Sequence, residues 1–196
     1  HAVGAVYRNS DPSDIVVTAA GGLVGEVVQI WKPKELNTFE TEWGFSCMSY
    51  EISGALGIKM AKPNQDVIVF VGDGSYLLQN SDIYSSVLYD KKLIIVICDN
   101  GGHMVINRLQ LAKGGKEYLC NLNAARATNV QFVDFESHAK SMGANGETVK
   151  SISELEAAFK RAKESDKTYV ISMKTDGYEW LEGTAFWESP TLEVDN

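Results

Sequence analysis

Cysteine is scarce in this chain, and no Cys-x-x-Cys pair occurs, which removes zinc-ribbon and dithiol redox chemistry from consideration. The three thiols, Cys47, Cys98 and Cys120, are odd in number and fit a reducing compartment, so a cytoplasmic protein is expected. No apolar run approaches the ~20 residues that a membrane span needs, so no membrane partner is expected. Basic clusters are missing too. With a net charge of −8 and an isoelectric point near 4.9, the electrostatic footprint of nucleic-acid binding is absent. The acidity serves solubility, and an anionic ligand would depend on a metal and on local N–H groups. Repeats, low-complexity stretches and linkers are lacking as well. The 196 residues therefore read as one domain, residues 1–196, long enough to bury a good core. The start at His1, without an initiator methionine or targeting segment, reads as a fragment of a longer protein.

What is present is a pair of polar clusters after apolar runs. Residues 66–71 and 93–98 are rich in β-branched side chains and short enough to be buried parallel strands. Gly72-Asp73-Gly74-Ser75 follows the first and Asp99-Asn100-Gly101-Gly102 the second. Between them, residues 76–90 carry Leu77, Leu78, Ile83, Val87 and Leu88 at roughly helical spacing. A strand–helix–strand crossover puts both clusters at the carboxyl ends of adjacent strands, where open α/β sheets bind ligands.

The chemistry of the clusters narrows the ligand. Asp73 offers a hard anionic oxygen, Asn100 a neutral amide oxygen, and the glycines allow close backbone approach. Magnesium takes about six oxygens at ~2.1 Å and seldom all from protein. One carboxylate, one amide and one carbonyl leave three positions for phosphate oxygens and water. Ser75 adds a hydroxyl and a helix start with free N–H groups. A magnesium diphosphate is the expected ligand. Taken singly, Gly-Asp-Gly and Asp-Asn-Gly are also ordinary turn sequences; their joint placement argues against that reading.

A Gly-Asp-Gly followed at this interval by Asn resembles the signature of thiamine-diphosphate enzymes. The resemblance implies that Asp73, Asn100 and the Gly102 carbonyl hold Mg2+, and that Gly72, Gly74 and Ser75 border the diphosphate. The segment from Gly44 through Phe45, Ser46, Cys47, Met48, Ser49, Tyr50, Glu51, Ile52, Ser53 and Gly54 to Gly57 is similar to the glycine-rich element of the acetolactate synthase and pyruvate decarboxylase superfamily. By that likeness Met48 wedges the cofactor into its bent shape, and a carbonyl near Ser46 receives the aminopyrimidine. Within the superfamily, residues 42–52, 71–77 and 106–110, Thr175-Asp176-Gly177-Tyr178-Glu179 and Trp187 resemble most the trihydroxycyclohexane-1,2-dione hydrolase family. That family opens a cyclic 1,2-dione in myo-inositol breakdown. His103 departs from it, standing where an aromatic is expected.

The resemblance further implies a small-molecule substrate, a cyclic dione or, for acetolactate-type carboligation, a 2-keto acid. It also implies an upstream pyrimidine-binding domain, in the same or a second subunit, whose glutamate activates the cofactor. A homodimer or homotetramer follows from a site shared between subunits. No catalytic residue is assigned within the chain; His103 is a speculative proton shuttle, against the commoner structural or solvent-facing role of a lone histidine.

The remaining segments complete a doubly wound, mostly parallel sheet with helices on both faces. Residues 14–18 read as the first strand, 21–31 as a helix, 37–42 as a second strand and 48–61 as a helix. Residues 110–127 read as a loop or lid over the ligand edge, and 135–142 as a short helix. Residues 147–149 read as a short strand, 153–163 as a helix with a capping-box-like start at Ser153 and Glu156, and 168–173 as the last strand. A rival site is Ala20-Gly21-Gly22-Leu23-Val24-Gly25, a degraded dinucleotide fingerprint with Glu40 or Glu42 about 20 residues on. It would make the chain a nucleotide-binding or regulatory module without chemistry. His138 is expected to be structural, and Tyr178, Trp180, Phe186 and Trp187 to form a packing or contact surface.

Overall fold

The computed structural model describes residues 1–42, 44–124 and 132–181. Helix α1 (Ala2–Asn9) leads into strand β1 (Ile15–Thr18), α2 (Gly21–Ile30), β2 (Phe39–Thr41) and α3 (Tyr50–Ala61). Then come β3 (Val67–Gly72), α4 (Asp73–Leu78), α5 (Ser81–Leu88), β4 (Ile94–Asp99) and α6 (Met104–Ala112). A 3-10 turn (Leu122–Ala124), α7 (Phe135–Ser141), β5 (Asn145–Val149), α8 (Ile152–Glu164) and β6 (Tyr169–Lys174) follow.

The six strands form one parallel sheet in the order β2-β1-β3-β4-β6-β5. The expected doubly wound α/β architecture is present. Strand alternation divides the core into two layers. Val16, Ile68, Phe70, Ile94 and Val96 face one side, packed with Val6 of α1, Val27 of α2, Trp31 just after it, and Leu155 and Phe159 of α8. Ile15, Val67, Val69, Ile95 and Ile97 face the other, against Ile52, Leu56, Ile83, Phe135 and Ala139. Burial on both faces is why these strands read as continuous apolar runs rather than alternating ones.

Chain order reverses direction at β1, which pairs with β2 on one side and β3 on the other. The carboxyl ends of β1, β3 and β4 thus border a switch-point crevice. Charge is concentrated at the opposite edge. There Lys163 reaches Asp11, Asp14 and Asp66 at 2.9, 2.7 and 3.0 Å, and Lys92 reaches Asp66 at 2.9 Å.

Several boundaries differ from the sequence reading. The single helix over 76–90 is two, because the chain breaks at Gln79–Asn80. The Asn80 amide donates to the Tyr76 carbonyl, and its own carbonyl accepts from Ile83. Leu77 and Leu78 consequently face outward while Tyr76 is buried. Helix α1, which the sequence reading lacked, buries Val3, Ala5 and Val6. Helix α6 extends two residues past Gln110, into the expected loop; 125–127 of that loop lie outside the described residues. The start of α8 is capped by Ser151, whose hydroxyl accepts from the Glu154 N–H, while Glu154 accepts from the Lys150 N–H. The N-cap is thus two residues earlier than Ser153, and the Glu154 carboxylate reaches one residue beyond it, to Lys150, rather than closing a capping box on Ser151.

Candidate functional site

Strand β3 ends at Gly72, and α4 begins on the next residue, so Asp73, Gly74 and Ser75 form a first turn whose N–H groups lack helical acceptors. Strand β4 delivers Asp99 and Asn100 alongside. Gly101 and Gly102 turn the chain with φ of 82° and 139°, conformations side chains rarely adopt. At Gly102 a Cβ would collide with the Cys120 carbonyl. That close approach lets residues 120–122 brace the loop: His103 N–H donates to the Cys120 carbonyl at 2.7 Å, and Leu122 N–H to the Gly101 carbonyl at 2.9 Å. Asp99 adds a further tie, accepting from the Gly101 N–H at 3.1 Å and pairing with Lys174 at 2.6 Å.

One amide position of Asn100 stands 3.1 Å from Asp73 Oδ1 and 3.0 Å from the Gly102 carbonyl oxygen. With nitrogen in that position the amide donates to both. With oxygen there, the Asn100 amide oxygen stands within about 3 Å of one oxygen from each of Asp73 and Gly102. An octahedron with metal–oxygen bonds of ~2.1 Å has edges of about 3.0 Å, so in the second orientation both separations suit neighbouring ligands of one magnesium ion. Asp73 is 4% exposed. Burial, then the nearby Asp99 carboxylate, push its pKa up, and backbone hydrogen bonds at Asn100 and Gly102 pull it back. A cation would supply the positive charge this carboxyl lacks. Among the described residues no cluster of three His, Cys, Asp or Glu suggests a softer metal.

A cavity of about 530 Å³ opens at this edge. Ser46, Met48, Gly72, Asp73, Gly74, Ser75, Asn100, Gly102 and His103 all line it, so the sequence candidates come together in one place. The Ser46–Met48 loop is held by Glu42, which accepts from the N–H groups of Cys47 and Phe45 at 2.8 and 3.1 Å. Those bonds, the Cys47 one first, hold the Glu42 carboxyl below its usual range. Glu42 is thus occupied locally, and Glu40 accepts from the Tyr50 hydroxyl at 3.4 Å. Gly21 and Gly22 of the rival fingerprint line the same cavity, with Trp180 packed 3.6 Å from where a Cβ on Gly22 would be. Trp43, part of the 42–52 resemblance, lies outside the described residues.

Ser75 differs from its expected use. Its hydroxyl donates inward to the Glu51 carboxylate, at 3.0 and 3.2 Å, and accepts from the Ser49 N–H at 2.7 Å. Only its main chain is left to face a ligand. His103 is exposed to the cavity with its ring across Gly74: a Cβ on that glycine would stand 2.6 Å from the imidazole. His138 braces the buried Tyr76 hydroxyl at 2.9 Å, a structural contact. Cys98 lines the cavity, but burial pushes its thiol up to about 12, leaving it unreactive. Of the aromatic tail, the Tyr178 hydroxyl donates to Glu117 at 2.6 Å, and Trp180 carries the Arg108 guanidinium over its ring at 5.1 Å. Phe186 and Trp187 lie outside the described residues. Sequence reasoning named Glu51 and Glu42 but missed their acceptor roles, which depend on tertiary and loop contacts that carry no motif.

Comparison with known proteins gives a consistent picture. Residues 19–173 match the family model described as thiamine pyrophosphate enzyme, C-terminal TPP binding domain. The chain is 38% identical over 197 residues to the 3D-(3,5/4)-trihydroxycyclohexane-1,2-dione hydrolase of Halalkalibacterium halodurans, covering 97% of this chain and 30% of that protein. To the enzyme of the same name from Bacillus subtilis it is 36% identical over 183 residues, covering 89% and 29%. The chain therefore spans a little under a third of the relatives it matches. In fold it is similar to the benzoylformate decarboxylase of Polynucleobacter necessarius, with a TM-score of 0.77 at 19% identity, covering 92% of this chain and 33% of that one. It is likewise similar to a thiamine diphosphate-dependent 4-hydroxybenzoylformate decarboxylase from Rhodococcus jostii, with a TM-score of 0.76 at 20% identity, covering 89% and 32%.

Proposed function

The chain belongs to the thiamine pyrophosphate enzyme family, through its C-terminal cofactor-binding domain, and from that premise we propose that it supplies the magnesium diphosphate site of an enzyme that hydrolyses a C–C bond in a cyclic 1,2-dione. The observation that carries this reading is the Asn100 amide position, 3.1 Å from Asp73 Oδ1 and 3.0 Å from the Gly102 carbonyl oxygen, on the edge of β3 and β4. Asp73 is the anionic ligand, Asn100 and the Gly102 carbonyl the neutral ones. Gly74 and the Ser75 main chain face the phosphates, with Gly72 below them. Met48, reaching the same cavity from the loop before α3, keeps the cofactor bent, and a carbonyl near Ser46 meets its aminopyrimidine.

When bound, thiamine diphosphate supplies carbanion chemistry at a carbonyl carbon, which allows a neighbouring C–C bond to break. The chain's own contribution is position and charge. Two diphosphate charges are neutralised by metal and N–H groups, in a domain whose net charge of −8 gives no help at long range. Gly72 keeps its side of the approach open, whereas Gly74 and Gly102 make room for the His103 ring and the Cys120 carbonyl.

The substrate assignment rests on the relatives' names; the place in myo-inositol breakdown follows from the family resemblance, and the cytoplasmic location from the unpaired thiols. The activating glutamate belongs to an upstream pyrimidine-binding domain of the same or a second subunit. Outward-facing Leu77, Leu78, Tyr84, Leu88 and Tyr89 on α4, α5 and the residue after it give an apolar surface for such a contact in a homodimer or homotetramer. The test is an assay of the complete protein with trihydroxycyclohexane-1,2-dione and, separately, with pyruvate. Ring opening that needs magnesium and thiamine diphosphate supports the reading. Acetolactate formation without ring opening would replace it with carboligation.

A further inference from the structure

Glu51 lies on the second residue of α3, fully buried, and among the described residues no lysine, arginine or histidine pairs with it. An unpaired buried carboxyl is held only by its hydrogen bonds. Besides backbone N–H groups of its own segment, at Glu51 and Ser49, two other segments supply them. The Ala20 N–H, at the junction of β1 and α2, donates to Oε1 at 3.2 Å. The Ser75 hydroxyl, in the first turn of α4, donates to the two carboxyl oxygens at 3.2 and 3.0 Å, while accepting from the Ser49 N–H at 2.7 Å. One carboxyl thus joins the starts of α2, α3 and α4. Ala20, Met48 and Ser75 from those three segments line the cavity.

We propose that Glu51 is a positioning residue for the diphosphate: without touching it, the carboxyl sets the spacing between the β1–α2 turn and the first turn of α4. This rests on the cofactor reading above and deepens it. Two consequences follow from the geometry. The Ser75 hydroxyl serves the brace, so phosphate contacts come from the N–H groups of residues 73–75. Glutamine is also a workable replacement, since its amide oxygen accepts from Ala20 and its nitrogen donates to Ser75 Oγ. Burial raises the Glu51 pKa, opposed first by its own backbone N–H and then by the Ser75 hydroxyl and the Ala20 N–H.

The test is a fluorescence titration of the complete protein with thiamine diphosphate in saturating magnesium, for wild type, Glu51→Leu, Glu51→Gln and Ser75→Ala, with thermal melting of each apo protein. Leucine fills the space but severs both arms, and should weaken Kd roughly 10- to 100-fold, as loss of an orienting group does at metal sites. Alanine at 75 removes one arm in the same direction without disturbing the core, and so serves if Glu51→Leu does not fold. Glutamine should restore the wild-type order of magnitude. Wild-type affinity in Glu51→Leu or Ser75→Ala would overturn the inference alone. So would a lowered melting temperature with unchanged Kd, the mark of a merely structural carboxyl. Failure of wild type itself to bind would overturn the cofactor reading and this inference with it.

Discussion

Gly102 concentrates the demands of the site in one residue. Its φ of 139° and the Cys120 carbonyl beside it leave no room for a side chain. Gly102→Ala should cost about 1–3 kcal/mol through backbone strain and displace the carbonyl proposed as a metal ligand. Thermal melting should register the first effect and a magnesium titration in the presence of thiamine diphosphate the second. A variant of wild-type stability and affinity would show that the loop has more freedom than its contacts indicate. The metal-loop residues were legible from sequence because each set is contiguous: Gly72 to Ser75 and Asp99 to Gly102 follow strands directly. Glu51 was not, since its partner Ala20 is 31 positions away and only packing brings them together. The Ser75 hydroxyl shows the same limit. Its residue type suits phosphate, and only the fold reveals that it points at Glu51.

Among the elements, those buried on both faces were the easiest to read. Strands β3 and β4 are runs of valine, isoleucine and phenylalanine with nearly every residue buried, and no competing pattern obscures them. The helices were harder where their apolar residues do not face the sheet. Leu77 and Leu78 suggested one long helix by spacing, yet they point outward and the chain breaks at Asn80. Helix α8 illustrates the favourable case, with Leu155, Ala158, Phe159 and Ala162 on one buried face. Phe159→Ala should destabilise the protein by about 3–5 kcal/mol, read as a lowered denaturant midpoint. Ser151→Ala, which removes the N-cap acceptor, should cost about 1 kcal/mol. The same loss from Ser153→Ala, with Ser151→Ala neutral, would return the cap to the position first read from sequence.

For the whole molecule, the sheet separates two chemistries. Its carboxyl edge gathers the proposed ligand site, and its amino edge the ion network of Lys163, Lys92, Asp11, Asp14 and Asp66. Burial alone would raise Asp66, but hydrogen bonds from Lys92 and Lys163 outweigh it and hold the carboxyl below its ordinary 3.8. A depressed folded pKa means stabilisation that is complete above the unfolded value and lost as pH falls through the folded one. Stability should therefore drop below about pH 4, and Asp66→Asn should flatten that part of a melting-temperature profile. Asp14 works against this: burial raises its pKa despite the bond to Lys163. An unchanged acid slope in Asp66→Asn would remove Asp66 from the account.

The claim on which the rest depends is that Asp73, Asn100 and Gly102 hold magnesium for a diphosphate. Calorimetric titration of the complete protein with thiamine diphosphate, in magnesium and in chelator, with wild type and Asp73→Ala, tests it most directly. The account predicts binding that requires magnesium and disappears in Asp73→Ala while the variant still melts cooperatively. Equal binding in chelator, or an Asp73→Ala protein that binds as wild type does, would contradict it; binding of NAD in chelator instead would give the edge to the glycines of the β1–α2 turn.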